Sequence, residues 1–222
     1  MAEATQEKKF GVFDFDGTIV DSMPSYFGVS ADIVSREYGL DRNEFIAYSM
    51  DFIGRSMEEV FSDFLRKKEK STDRVQDNLK TFFELVNARE VPLIDGAKEA
   101  IEKLHARGVK LFISTGSETA KTEERLEKAG LRKYFIEVCG SSEIEKGPEH
   151  VRGFAKRSNL SLEEFAQRSF FLGDGPGDMK IAKACRMKAV GVAHTFDREY
   201  LFKAGADIVC DHVGEAGNLD LI

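Results

Sequence analysis

The chain has 222 residues, enough for one large domain or for a domain carrying a smaller insert. Hydrophobic residues make up 42% and charged residues 32%, the balance of an ordinary globular protein rather than a disordered or fibrous one. The net charge of −7 argues against the basic face that nucleic acid or an anionic membrane requires. It leaves room for an anionic substrate, because a local cluster or a metal overrides the global sign.

Taken in chain order, FGVFDF (10–15) reads as a first buried strand interrupted by two aspartates. Residues 22–90 show helical periods and no strand pattern. SYFGVSADIVSREYG (25–39), started by Pro24, predicts one helix. Met57, Val60, Phe61, Phe64 and Leu65 form a stripe behind a Ser56/Glu59 capping box, and Val75, Leu79, Phe82, Phe83 and Val86 form another. From REVPLIDG (89–96) onward, short apolar runs alternate with helical segments. The strands are VKLFIS (109–114), YFIEVC (134–139), SFFLGD (169–174), KAVGVA (188–193) and ADIVC (206–210), with little polar alternation and so both faces covered. The pattern predicts an α/β protein: a doubly wound, Rossmann-like parallel sheet core from residues 1–20 and 91–222, with an inserted α-helical cap from residues 21–90.

The start, MAEATQEKKF, has no apolar signal segment, and no run approaches the length of a membrane span. Cys139, Cys185 and Cys210 are widely separated, without a CxxC, and read as reduced thiols of a cytoplasmic protein. His105, His150, His194 and His212 are scattered singly and read as incidental.

An acid at the end of an apolar strand is costly to desolvate unless something compensates it. In a doubly wound sheet, ligands bind outside the carboxyl ends of the strands, which is where Asp14, Ser114 and Asp174 are predicted to fall. Asp178 follows four residues after Asp174. Acids meeting at one point raise each other's pKa unless a cation sits among them, and an oxygen-only donor set without His or Cys points to Mg²⁺.

The chain resembles the haloacid dehalogenase-like superfamily of phosphohydrolases, in the branch with a helical cap of the phosphoglycolate phosphatase and β-phosphoglucomutase type. DFDGT matches the first motif, which implies Asp14 as nucleophile and Asp16 as general acid/base. FISTG matches the second, implying a phosphate-holding hydroxyl on Ser114, with the Thr115 and Gly116 amides beside it. GDGPGD matches the fourth, implying a metal site of Asp14, Asp16, Asp174 and Asp178. The third motif is a lysine; Lys146 in EIEKGPEH is the candidate, with Lys156 as the alternative, and the local Lys-Gly-Pro departs from the usual Lys-Pro-x-Pro. Thr18 is read as fixing the turn, and Arg55 as a cap residue facing the substrate.

The chemistry these roles serve is coherent. Hydrolysis of phosphate monoesters is among the slowest reactions in water, needing accelerations of up to ~10²¹. A carboxylate nucleophile divides it into two easier steps through an aspartyl-phosphate, while Mg²⁺ and a lysine offset the repulsion between anions. The reading is an Mg²⁺-dependent phosphatase acting on a small phosphorylated molecule, with the oligomeric state open. The alternatives are a phosphomutase using the same Asp14, or a non-catalytic binding module with this fold.

Overall fold

A computed structural model describes residues 9–52, 56–142 and 144–220. The chain divides into two compact units, Ser22–Pro92 and the segments on either side of it, the first ending at Asp21 and the second beginning at Leu93.

The flanking unit is built on strands β1 (Phe10–Phe13), β2 (Lys110–Ser114), β3 (Phe135–Cys139), β4 (Ser169–Gly173), β5 (Lys188–Val192) and β6 (Ile208–Cys210). All pairings are parallel, in the order β3-β2-β1-β4-β5-β6. This is the doubly wound arrangement expected from the alternation of strand and helix patterns. Every residue of β1 is buried, as a central strand covered on both faces must be. The register sets Phe13 beside Ile113 of β2 and Leu172 of β4, so the three strands end at one level and the residues just beyond them emerge together.

The helical unit holds α1 (Met23–Tyr38), α2 (Arg42–Asp51), α3 (Met57–Lys67) and α4 (Val75–Asn87). Pro24 lies in the first turn of α1, and Gly39 closes that helix in the left-handed conformation at φ +66°. The Ser56/Glu59 capping box forms at the start of α3, each reciprocal bond 3.2 Å long. Val34, Phe45, Phe61, Phe64, Leu65 and Phe82 meet in one apolar core. Phe83, read with the α4 stripe, is instead half exposed, because the buried face of that helix runs through Val75, Leu79, Phe82 and Val86.

The remaining helices belong to the sheet unit: α5 (Ala97–Ala106), α6 (Thr119–Lys128), α7 (Pro148–Arg157), α8 (Leu162–Gln167), α9 (Pro176–Ala184) and α10 (Arg198–Lys203). Phe10, Val12, Phe112 and Phe171 of the sheet pack with Val151, Phe154, Phe165 and Met179 from α7, α8 and α9. Phe154 stacks on Phe112 with ring centres 4.7 Å apart, which seats α7 against β2. Among the described residues, no helix is long and apolar enough to cross a membrane.

Candidate active site

Asp14 follows the last residue of β1, and its amide continues the ladder by donating to the Leu172 carbonyl at 2.8 Å. Asp174 follows the last residue of β4, and Asp178 lies two residues into α9. All three carboxylates are buried, and one oxygen of each falls within 4.8 Å of the others. Lys146, in the segment before α7, enters this group with its ammonium 2.7 Å from Asp14 Oδ1 and 2.6 Å from Asp178 Oδ1.

The backbone is pressed close to these acids. Gly17 has φ +79°, and a Cβ there would lie 2.2 Å from Asp174 Oδ2. A Cβ on Gly173 would meet the Asp178 carboxyl at 2.3 Å. Glycine is needed at both positions for the carboxylates to sit where they do. Thr18 Oγ1 donates to Asp174 Oδ1 at 3.2 Å, the Thr195 hydroxyl donates to Asp174 Oδ2, and the Gly175 amide donates to Asp178 Oδ2 at 3.0 Å.

Burial pushes the Asp14 carboxyl well above the usual range; Lys146 opposes this, and Asp178 and Asp174 add to it. Asp174 is pushed up to about 6, again chiefly by burial and then by Asp178. Burial works against the Lys146 charge, but Asp14 and Asp178 outweigh it and hold the pKa above the normal lysine range. Among the described residues, the ammonium of Lys146 thus pairs with two of these three carboxylates. A hard divalent cation fits such a set: the donors are oxygens only, they converge, and one ammonium does not balance three carboxylates.

Asp16 does not join the cluster through its side chain. Its Oδ2 accepts from Ser117 Oγ at 2.5 Å and from Thr115 Oγ1 at 3.3 Å, and Arg125 of α6 lies 3.9 Å from its other oxygen. The metal ligands implied by the sequence motifs therefore separate into Asp14, Asp174 and Asp178, which gather, and Asp16, whose carboxylate faces the start of α6.

Ser114 and Thr115 point opposite ways, as successive strand residues do. Ser114 shares the face of Phe112, is wholly buried, and bonds His150 of α7 with 2.9 Å between Oγ and Nδ1. Thr115 turns its hydroxyl toward Asp16. Its amide, expected from sequence to be free for a phosphate oxygen, instead donates to the Cys139 carbonyl at 2.9 Å, because the β2–β3 ladder runs one residue past the strand and α6 starts only at Thr119. Lys156 sits on the exposed side of α7, away from the carboxylates, whereas Lys146 is among them. Arg55 lies outside the described residues.

Several contributors carried no sequence signal. Ser117, Thr195 and Arg125 are ordinary polar residues until the fold sets them against Asp16 or Asp174. His150, read as incidental, is buried with both ring nitrogens engaged. His194 pairs with Asp21, 3.1 Å between Nε2 and Oδ1. Cys139, Cys185 and Cys210 are not joined in disulfides.

Acidic groups and a lysine converging beyond the central strands of a doubly wound sheet define a Rossmann-like α/β enzyme with a helical insert after its first strand. The chain belongs to the haloacid dehalogenase-like hydrolase family, whose pattern matches residues 12–192. It is 25% identical over 222 residues to a phosphoglycolate phosphatase of Vibrio parahaemolyticus, covering 95% of each chain. It is 24% identical over 212 residues to a phosphorylated carbohydrates phosphatase of Thermotoga maritima, covering 88% of this chain and 90% of that one. A haloacid dehalogenase-like hydrolase structure from Streptococcus pneumoniae superposes with a TM-score of 0.78 at 18% identity, covering 94% of this chain and 96% of the other.

Proposed function

We propose that this protein is an Mg²⁺-dependent phosphatase that hydrolyses a small phosphomonoester through an aspartyl-phosphate on Asp14. The observation that carries the reading is the Lys146 ammonium bridging Asp14 and Asp178 within a buried carboxylate cluster. Such a lysine offsets part of the negative charge around the nucleophile that would otherwise repel a phosphate dianion.

In the first step Asp14 attacks phosphorus, the bond to the leaving oxygen breaks, and Asp16 in its acid form gives that oxygen a proton. In the second, Asp16 takes a proton from the water that attacks the aspartyl-phosphate, releasing phosphate and restoring Asp14. The Thr115 hydroxyl, which faces Asp16, rather than that of Ser114, which is bonded to His150, is assigned to a phosphoryl oxygen. Asp14, Asp174 and Asp178 would hold the metal, with Thr18 and Thr195 orienting Asp174. When bound, Mg²⁺ supplies positive charge shared between these carboxylates and the phosphoryl oxygens. The relatives' activities put phosphorylated sugars and phosphorylated hydroxy acids, phosphoglycolate first, at the head of a substrate panel.

The test is phosphate release from that panel with and without Mg²⁺, wild type beside Asp14→Asn. Release that requires Mg²⁺ and is lost in the variant supports the reading. Absence of release from every member, with sugar-phosphate isomerisation dependent on a bisphosphate, would assign the same residues to a phosphomutase.

A further inference from the structure

We propose that His150 is a positioning residue for Lys146: its imidazole ties the backbone before Lys146 to the carboxyl end of β2. The inference rests on the functional reading above for its catalytic consequence, but its structural content stands by itself.

Both ring nitrogens are committed. Nε2 lies 3.0 Å from the Ile144 carbonyl oxygen and Nδ1 lies 2.9 Å from Ser114 Oγ. A carbonyl only accepts, so Nε2 carries the proton; in the neutral ring Nδ1 then accepts, and the Ser114 hydroxyl donates. Burial lowers the pKa of His150; the bond to the Ile144 carbonyl opposes this and the nearby Lys146 charge adds to it, so the net effect favours the neutral ring. Ser114 in turn is fixed as the last residue of β2.

The consequence falls on Lys146 because of where the anchors lie. Two residues before it, Ile144 is held by His150; two residues after it, Pro148 opens α7. The ring sits on the buried face of α7 with Val151 and Phe154, and Phe154 stacks on Phe112 of β2. The His150 amide also donates to the Gly147 carbonyl at 3.1 Å, closing the turn from the other side. Lys146 belongs to no regular element, and a free lysine side chain carries about 2 kcal/mol of rotamer entropy. Holding its ammonium between two carboxylates requires that the backbone beneath it not drift. His150 is the group that prevents this on the N-terminal side.

The experiment compares His150→Phe, which keeps a ring but removes both bonds, with His150→Gln, whose amide can still donate to the Ile144 carbonyl. Each is made in the wild-type background and with Lys146→Ala. The expected result is a loss of about 10–100-fold in kcat/KM for His150→Phe when Lys146 is present, as for other outer-shell partners of a site. The loss should be less than twofold when Lys146 is already absent, and His150→Gln should recover most of it. An equal loss in both backgrounds, or none, overturns the proposal.

A second readout does not depend on turnover. Labelling of Lys146 by an amine reagent, followed by mass spectrometry on the folded metal-free protein, should run about tenfold faster in His150→Phe, with other lysines unchanged. Unchanged labelling overturns the assignment even if activity falls. If His150→Phe does not fold, Ser114→Ala removes one anchor only and should accelerate Lys146 labelling to a smaller extent; no acceleration counts against the proposal. A wild type that releases no phosphate from any substrate would defeat the phosphatase reading, while the labelling still decides the role of His150.

Discussion

Lys146 and Asp14 meet at 2.7 Å, although one precedes a helix late in the chain and the other directly follows its first strand. The lysine is thereby the charge partner of the assigned nucleophile. Lys146→Met should lower kcat/KM about 10²–10³-fold, the cost of deleting one preorganised charge at a site of developing negative charge. It should also destabilise the metal-free protein by about 3–5 kcal/mol at pH 8, because removing one member of a buried ion pair strands the others. The penalty should shrink at pH 5, where the carboxylates can take up protons. Urea unfolding at the two pH values checks this; an unchanged midpoint at pH 8 would remove Lys146 from the cluster.

The carboxylates also make a prediction about pH and metal. The Asp174 pKa is raised from its ordinary 3.8 to about 6, so the native state holds this proton more tightly than the unfolded chain. Its contribution to metal-free stability is therefore greatest below about pH 4 and is lost as pH rises through 6. Metal binding needs the ionised form, so stabilisation by Mg²⁺ should be small at pH 5 and level off above about pH 7. Melting temperatures in EDTA and in Mg²⁺ should converge at low pH and separate at high pH, with Asp174→Asn flattening both trends. A wild-type gap that stays constant from pH 5 to 8 would contradict the raised pKa.

Most of the architecture was legible in the sequence because it rests on periodicity. The five later strands and α5, α6 and α9 are short apolar runs and amphipathic repeats punctuated by glycine, and such signals survive without tertiary context. Helix α2 was not legible: it buries only Phe45 and Ser49, so no stripe announces it, and only its Asp41 cap, accepting from Glu44 at 2.8 Å, marks its start. The site divides in the same way. Asp14 and Asp174 were placed by strand ends, which sequence patterns locate, and Asp178 by its four-residue spacing from Asp174. Ser114 and Thr115 differ by one residue, and in a strand that is the difference between opposite faces; a family motif read from sequence does not fix that parity. The partners Ser117, Thr195 and His150 come from elements far away in sequence and become visible only when the sheet is assembled.

That parity is testable directly. Thr115→Val should lower kcat/KM about 10–100-fold and weaken competitive inhibition by inorganic phosphate, since it removes the hydroxyl that faces Asp16. Ser114→Ala leaves His150 Nδ1 without its donor and should cost about 1–3 kcal/mol of stability, with a smaller effect on phosphate inhibition. Inhibition constants for phosphate across the two variants give the answer. If Ser114→Ala weakens phosphate more than Thr115→Val does, the roles are reversed.

Gly17 carries the last prediction, because two independent costs meet there. Its φ of +79° is strained for any residue with a side chain, at about 1 kcal/mol or more. An added Cβ would also stand 2.2 Å from Asp174 Oδ2. Asp174 is not free to yield, since Thr18 and Thr195 hold its two oxygens. Gly17→Ala should therefore destabilise the protein by about 2–4 kcal/mol and, by displacing a carboxylate of the cluster, weaken Mg²⁺ binding at least tenfold. Gly153→Ala is the matched comparison: it lies on the exposed side of α7, and a Cβ there meets nothing within 4 Å. That substitution should stabilise the protein by about 0.5–1 kcal/mol through helix propensity and leave Mg²⁺ affinity unchanged. Calorimetric Mg²⁺ titration and thermal unfolding of both variants separate the local effect from the generic one. Wild-type metal affinity in Gly17→Ala would show that Asp174 does not need its observed position to hold the ion.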